Sequence, residues 1–246
     1  IVSLARPTAV VAVPRDQTAV VLVLDVSGSM AAADLQPNRL AAAKGAAQAF
    51  IDALPAEQQV GLVSFSSVAS VAAPITRDHG AVGRAIAALA SQQSTAIGDG
   101  LNLALDQLAQ LPADASGQRP PGLVVLLSDG ESNAGIAPAT AAARARAEGI
   151  RVHTVGIGER GAIARINGRT DVGLDEATLQ QIATETAGRY FYAAERNELE
   201  RIYADLGSEV RWVEERTEVT AFASALGAVL MLAGGLLALR WFGRFP

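Results

Sequence analysis

Asp25, Ser27 and Ser29 set a carboxylate and two hydroxyls at alternate positions, directly after the apolar run Val20-Val21-Leu22-Val23-Leu24. Oxygen side chains packed this closely suit a hard cation such as Mg²⁺ far better than they suit a core. Two distant positions offer the same chemistry. Thr95 lies in Ser94-Thr95-Ala96-Ile97-Gly98-Asp99-Gly100, and Asp129 lies in Ser128-Asp129-Gly130-Glu131 after the apolar run Leu123–Leu127. Asp25, Ser27, Ser29, Thr95 and Asp129 together make an all-oxygen shell of carboxylates and hydroxyls. Mg²⁺ favours such a set and usually keeps some water; Mn²⁺ and Ca²⁺ are the alternatives.

The elements around these residues explain how they could meet. Thr18–Val26 and Leu123–Leu127 read as buried strands that deliver Asp25 and Asp129 to their carboxyl ends. Thr95 sits in a loop before a helix over Ile97–Leu111. Further helices are expected at Pro37–Leu54, Gly80–Ala90, Ala137–Glu148 and Asp175–Ala187, and further strands at Val60–Phe65, Val68–Ala72, Ile150–Ile157 and Arg189–Ala193. An edge strand is read at Ala9–Val13, and a charged amphipathic helix over Glu195–Arg216. Alternating strands and helices predict an α/β fold: a doubly wound, mostly parallel sheet with helices on both faces. In such a sheet, ligands bind at the carboxyl edge. Asn167-Gly168, between the short runs of Gly161–Val172, predicts an inserted β-hairpin; a plain surface loop is the alternative.

Composition narrows the function classes. The chain has 246 residues, half of them hydrophobic, and a net charge of −5. That balance argues against nucleic acid as a partner. No cysteine is present, which excludes disulfides and thiolate metal sites. From Val219 to Leu239 no residue is charged, a stretch close to the roughly 20 residues that span a bilayer as a helix. Arg240, Trp241, Phe242 and Arg244 follow as interfacial anchors would. A C-terminal transmembrane helix is therefore expected over 219–240, with a short tail at 241–246. A buried core helix is the blander reading.

The five site residues resemble the metal-ion-dependent adhesion site of von Willebrand factor A domains. That signature is Asp-x-Ser-x-Ser, a separate threonine and a later aspartate, and it is met by Asp25-Val26-Ser27-Gly28-Ser29, Thr95 and Asp129. The resemblance covers roughly Thr18–Ala193. It implies that Ser27, Ser29 and sometimes Thr95 bind the metal directly, with Asp25 and Asp129 acting largely through water. A narrower resemblance is to the membrane-anchored bacterial Bat, or aerotolerance-type, proteins. It rests on Ala19–Met30, Asp34-Leu35-Gln36-Pro37-Asn38-Arg39-Leu40, the Asn167-Gly168 hairpin and the C-terminal span. It implies a cell-membrane location with an extracytoplasmic domain, Bat-type partners and a link to MoxR-type ATPases. It also implies membrane helices upstream of this chain. The expected organisation is a lead-in at 1–17, a von Willebrand A domain at 18–194, a charged helical stalk at 195–218, and the span and tail.

A metal held mostly by neutral hydroxyls stays electrophilic, so the expected function is docking of a partner's Asp or Glu, with no catalytic residues and no enzymatic activity. An integrin-like adhesin for an external ligand is the alternative. A Mg²⁺-dependent phosphatase of the haloacid dehalogenase type is a weaker one. Such enzymes need a second acid where Ser27 stands, and a lysine that Lys44 is badly placed to supply. Asp25 and Ser27 taken alone could merely cap a helix. Asp99 and Glu131 read as loop or first-turn acids, His79 and His153 as structural, and Tyr190-Phe191-Tyr192 as strand packing.

Overall fold

The computed structural model describes residues 8–14, 18–92, 94–113, 120–158, 163–166, 169–172, 174–210 and 212–218. They divide into a two-stranded ribbon and a larger unit within residues 16–211. In the ribbon, β1 (Thr8–Pro14) runs antiparallel to Trp212–Glu218 (β10), with Thr8 opposite Glu218 and Val13 opposite Val213.

In the larger unit, β2 (Ala19–Asp25) is buried along its whole length. A strand that is apolar on both faces needs helices on both faces. Val20, Leu22 and Leu24 point to one layer, packed with Phe50 and Ile51 of α1 (Arg39–Ala53), Val82 and Ile86 of α2 (His79–Ala88), and Leu199 and Tyr203 of α6 (Arg196–Val210). Val21 and Val23 point to the other, with Leu101 and Leu105 of α3 (Ile97–Ala109), Ala141 and Ala145 of α4 (Pro138–Ala147), and Leu179 and Ile182 of α5 (Glu176–Glu185). Each such buried Leu, Val or Phe contributes about 1.5–3 kcal/mol. Polar caps start α1, α2 and α5: Asn38 accepts from the Ala41 N–H at 2.7 Å, Asp78 from Ala81 at 2.9 Å, and Asp175 from Thr178 at 3.2 Å. Pro37 thus precedes the cap of α1 and is not part of its first turn.

β2 lies between β3 (Gln59–Phe65) and β5 (Gly122–Ser128), parallel to both. β6 (Arg151–Ile157) and β9 (Tyr190–Ala193) extend the parallel sheet beyond β5. β4 (Ala69–Thr76) closes the other edge, antiparallel to β3 and longer than the short partner expected at Val68–Ala72. β7 (Ile163–Ile166) and β8 (Arg169–Val172) form the antiparallel pair expected around Asn167-Gly168, with Ile166 opposite Arg169.

The helix after β2 and the helix after β5 cover opposite faces of the sheet. The carboxyl ends of these adjacent strands therefore border a crevice, the switch point at which open α/β sheets bind ligands.

One expectation fails. The charged helix read over Glu195–Arg216 stops at Val210, and Trp212–Glu218 is strand, so the segment 195–218 is not a continuous helical stalk. Val213 and Thr217 are β-branched, and the valine-rich β1 supplies backbone partners from the other end of the chain. The span expected over 219–240 lies outside the described residues, as do the tail and residues 1–7. Among the described residues, no helix is long and apolar enough to cross a membrane.

Candidate metal centre

Asp25 is the last residue of β2 and is fully buried. Its carboxylate accepts from the Ser27 backbone N–H at 2.8 Å and from the Ser128 hydroxyl at 2.6 Å. Ser128 ends the neighbouring β5, and the parallel register sets Leu24 beside Leu127, which brings the two strand ends level. The short Ser128 contact is charge-assisted when Asp25 is ionised. A short 3₁₀ turn, Gly28–Ala31, follows Ser27, but the Ser27 side chain makes no cap hydrogen bond to it. Its Oγ lies 3.0 Å from the Ser29 Oγ. Helix capping is thus not what the Asp25-x-Ser27 pair does.

Asp129 follows β5 and is also buried. One carboxylate oxygen meets Arg39 Nη1 at 3.2 Å. The backbone around it is fixed by Gly130. That residue sits at φ +84°, its N–H donates to the Ser128 Oγ at 3.0 Å, and a Cβ there would come within 2.2 Å of the Asp175 carbonyl oxygen. The Asp175 N–H in turn donates to the Asp129 carbonyl at 2.8 Å.

Thr95 is buried and is tied to the loop after β5. Its N–H donates to Asn133 Oδ1 at 3.1 Å, and its carbonyl accepts from the Asn133 and Ala134 N–H groups at 3.0 and 3.2 Å. The same segment is tied to the end of β2. The Gln92 N–H donates to the Val26 carbonyl at 2.7 Å, and the Ser91 hydroxyl donates to the Ser27 carbonyl at 3.0 Å. Ser91 and Gln92 are thus tied to the end of β2, and Thr95 to the loop after β5. Hydrogen bonds join Asp25, Ser27 and Ser29 directly, whereas Thr95 is held through its backbone by Asn133 and Ala134.

The electrostatics of the pair are set by burial and by like charge. Burial, and then the negative charge of Asp129, push the Asp25 carboxyl from its ordinary 3.8 up to about 7, against the lowering effect of the Ser128 and Ser27 hydrogen bonds. The Ser27 N–H and the Ser128 hydroxyl are neutral donors, so neither cancels the charge of Asp25. A hard divalent cation would satisfy both carboxylates and accept the serine hydroxyls as neutral ligands. Among the described residues, no three His, Cys, Asp or Glu side chains gather as a metal-holding group. A nucleophilic role for Asp25 fits poorly, because the side chain is fully buried with both oxygens engaged.

Sequence reasoning passed over Ser128 and Arg39. Ser128 adjoins Asp129 and was open to recognition as a second hydroxyl at that strand end. Arg39, the first residue of α1, carries no such signal, since a charge there ordinarily faces water; in the fold it is 3% exposed. The remaining acids and rings do structural work. Asp99 accepts from the Ile136 N–H at 2.9 Å, His79 Nε2 lies 2.9 Å from the Gln58 carbonyl, and His153 Nδ1 accepts from the Arg189 N–H at 3.0 Å. Tyr190 donates to Glu176 at 3.0 Å.

Known proteins are similar to this chain in sequence and fold. A UPF0353 protein of Mycolicibacterium paratuberculosis (strain ATCC BAA-968 / K-10) is 36% identical over 245 residues, covering 96% of this chain and 73% of the relative. The crystal structure of the conserved hypothetical protein BatB from Bacteroides thetaiotaomicron is 28% identical with a TM-score of 0.67, covering 78% of this chain and 98% of that one. An aerotolerance-related membrane protein from Bacteroides fragilis NCTC 9343 matches with the same identity, TM-score and coverage. The family model of the von Willebrand factor type A domain matches residues 19–205. The chain belongs to the von Willebrand factor type A domain family, with BatB-type aerotolerance-related proteins among its structural neighbours.

Proposed function

We propose that this chain is a metal-dependent protein-interaction module in which Asp25, Ser27, Ser29, Thr95 and Asp129 hold Mg²⁺ and a partner's Asp or Glu completes the shell. The observation that carries this reading is the buried Asp25–Asp129 pair, held at the switch point beside the Ser27 and Ser29 hydroxyls. Burying two like charges is costly unless positive charge offsets them; the Arg39 guanidinium reaches Asp129, while the donors to Asp25 are neutral. If the directly bonded groups are mainly hydroxyls, the ion keeps its charge, and an incoming carboxylate supplies what the shell lacks. The bound metal would supply that electrophilic charge, and the chain's own residues would orient it and keep the carboxylates dry. The protein's role in this reading is docking and not turnover.

Resemblance to the Bat proteins extends the proposal. The module would be anchored in the cell membrane by Val219–Leu239, with the domain extracytoplasmic and Arg240 and Arg244 cytoplasmic. It would act as a scaffold in a bacterial envelope complex with other Bat-type membrane proteins and a MoxR-type ATPase. The Bacteroides fragilis neighbour is an aerotolerance-related membrane protein, which supports this direction.

The test is co-purification of the full chain from membranes with and without a chelator, beside the Asp25→Ala variant. Partners should be captured in Mg²⁺ and lost in both other conditions. Capture that survives chelation and Asp25→Ala overturns the metal-docking reading. Capture of soluble external ligands alone would favour an adhesin.

A further inference from the structure

Arg39 is a buried, permanently charged group placed between two acids. Its Nε and Nη2 grip Asp34, with Nε at 2.8 Å from Oδ1 and Nη2 at 2.7 Å from Oδ2, while Nη1 reaches Asp129 at 3.2 Å. The Glu131 carboxylate adds a weaker attraction. Gly158, at φ +125°, makes the space: a Cβ there would come within 2.7 Å of the guanidinium carbon. The Asp34 side chain is 17% exposed, whereas the Arg39 and Asp129 side chains are each 3% exposed. The guanidinium is therefore shared unequally. Its bidentate side faces Asp34, and Nη1 meets the acid of the candidate metal centre.

We propose that Arg39 is a positioning residue that sets how tightly this centre holds a divalent cation, acting through Asp129 as an internal competing charge, and that Asp34 tunes it from the other side. This rests on the reading of the site as a metal centre. A cation arriving beside Asp129 must be bound against a positive charge already in contact with that carboxylate. In a buried site such repulsion is poorly screened. Without the metal, Arg39 makes the pair of buried acids tolerable. With it, Arg39 limits the affinity. Asp34 draws the guanidinium partly away from Asp129, so loss of its charge leaves Arg39 more fully committed to the metal centre.

Opposite signs make the proposal testable. Calorimetric titration of Mg²⁺ into the full chain in detergent should give about tenfold tighter binding for Arg39→Met and about tenfold weaker binding for Asp34→Asn. Arg39→Lys keeps the charge and should stay within about threefold of the parent affinity while losing stability. Arg39→Met and Asp34→Asn both break the Arg39–Asp34 ion pair, so a purely structural role would shift affinity in one direction or not at all. Either of those results overturns the proposal. If Arg39→Met does not fold, unweakened binding by Asp34→Asn overturns it alone. The control is Asp25→Ala. If the parent fails to bind Mg²⁺, or Asp25→Ala binds as well as the parent, the metal reading itself falls and this inference falls with it. If the parent binds, Asp25→Ala does not, and the Arg39 and Asp34 variants do not diverge, only this inference falls.

Discussion

Replacing Asp25 with Asn should stabilise the metal-free protein at pH 8 and abolish its response to Mg²⁺. Asn is nearly isosteric, its Oδ1 can still accept from the Ser27 N–H, and the Ser128 hydroxyl can rotate to accept from the new amide. What changes is the charge. Burial and Asp129 raise the Asp25 carboxyl from 3.8 to about 7 in the folded protein. At about 1.4 kcal/mol per pH unit, ionising it costs of order 4 kcal/mol of stability above that range. The folded state binds the extra proton between these values, so stability is fully present below pH 4 and is lost as pH rises through 7. Asn carries no such slope. Urea denaturation of the full chain in detergent and chelator, followed by far-UV circular dichroism, should show Asp25→Asn ahead by several kcal/mol at pH 8. The gap should close towards pH 4, and the difference between the two proteins removes the effect of carboxylates that do not interact with Asp25. Saturating Mg²⁺ at pH 8 should stabilise the parent and not the variant. A variant no more stable than its parent at pH 8, or a gap independent of pH, would refute the electrostatic account of the site.

Other substitutions probe the supports. Gly130→Ala should cost at least about 2 kcal/mol, because a Cβ at φ +84° meets the Asp175 carbonyl, and denaturation midpoints would show it. Tyr203→Phe should gain about 1 kcal/mol: the hydroxyl is buried without a hydrogen-bond partner among the described residues, and Phe keeps the edge-on packing against Phe50. A loss of stability would mean that the hydroxyl is satisfied. Paired Val13→Cys and Val213→Cys substitutions should cross-link on mild oxidation, because those positions face each other in the ribbon and the chain has no other cysteine. Failure to cross-link in the folded protein would count against that register.

The candidate site was legible where chemistry sits at the end of a periodic element. An apolar run that stops at Asp25 or at Ser128-Asp129 marks a buried strand and its carboxyl edge in the same few letters. Thr95 was legible by type and by its position before α3, but its tether through Asn133 was not, since that bond joins loops far apart in sequence. The strand at Trp212–Glu218 was misread for a related reason. Its alternating charges suit a solvated helix face, and only pairing with β1 overrides that preference.

Local sequence determined which residues could bind a cation, which strands are buried on both faces, and that Ile163–Ile166 pairs with Arg169–Val172. Those properties reside in side-chain type and short-range period. The tertiary structure decided how the charge of the site is balanced: Ser128 on Asp25, Arg39 turned inward, and Asp34 sharing it with Asp129. Electrostatic energy depends on distance and burial, and both are settled only when strands and helices from separate parts of the chain pack around the same few atoms.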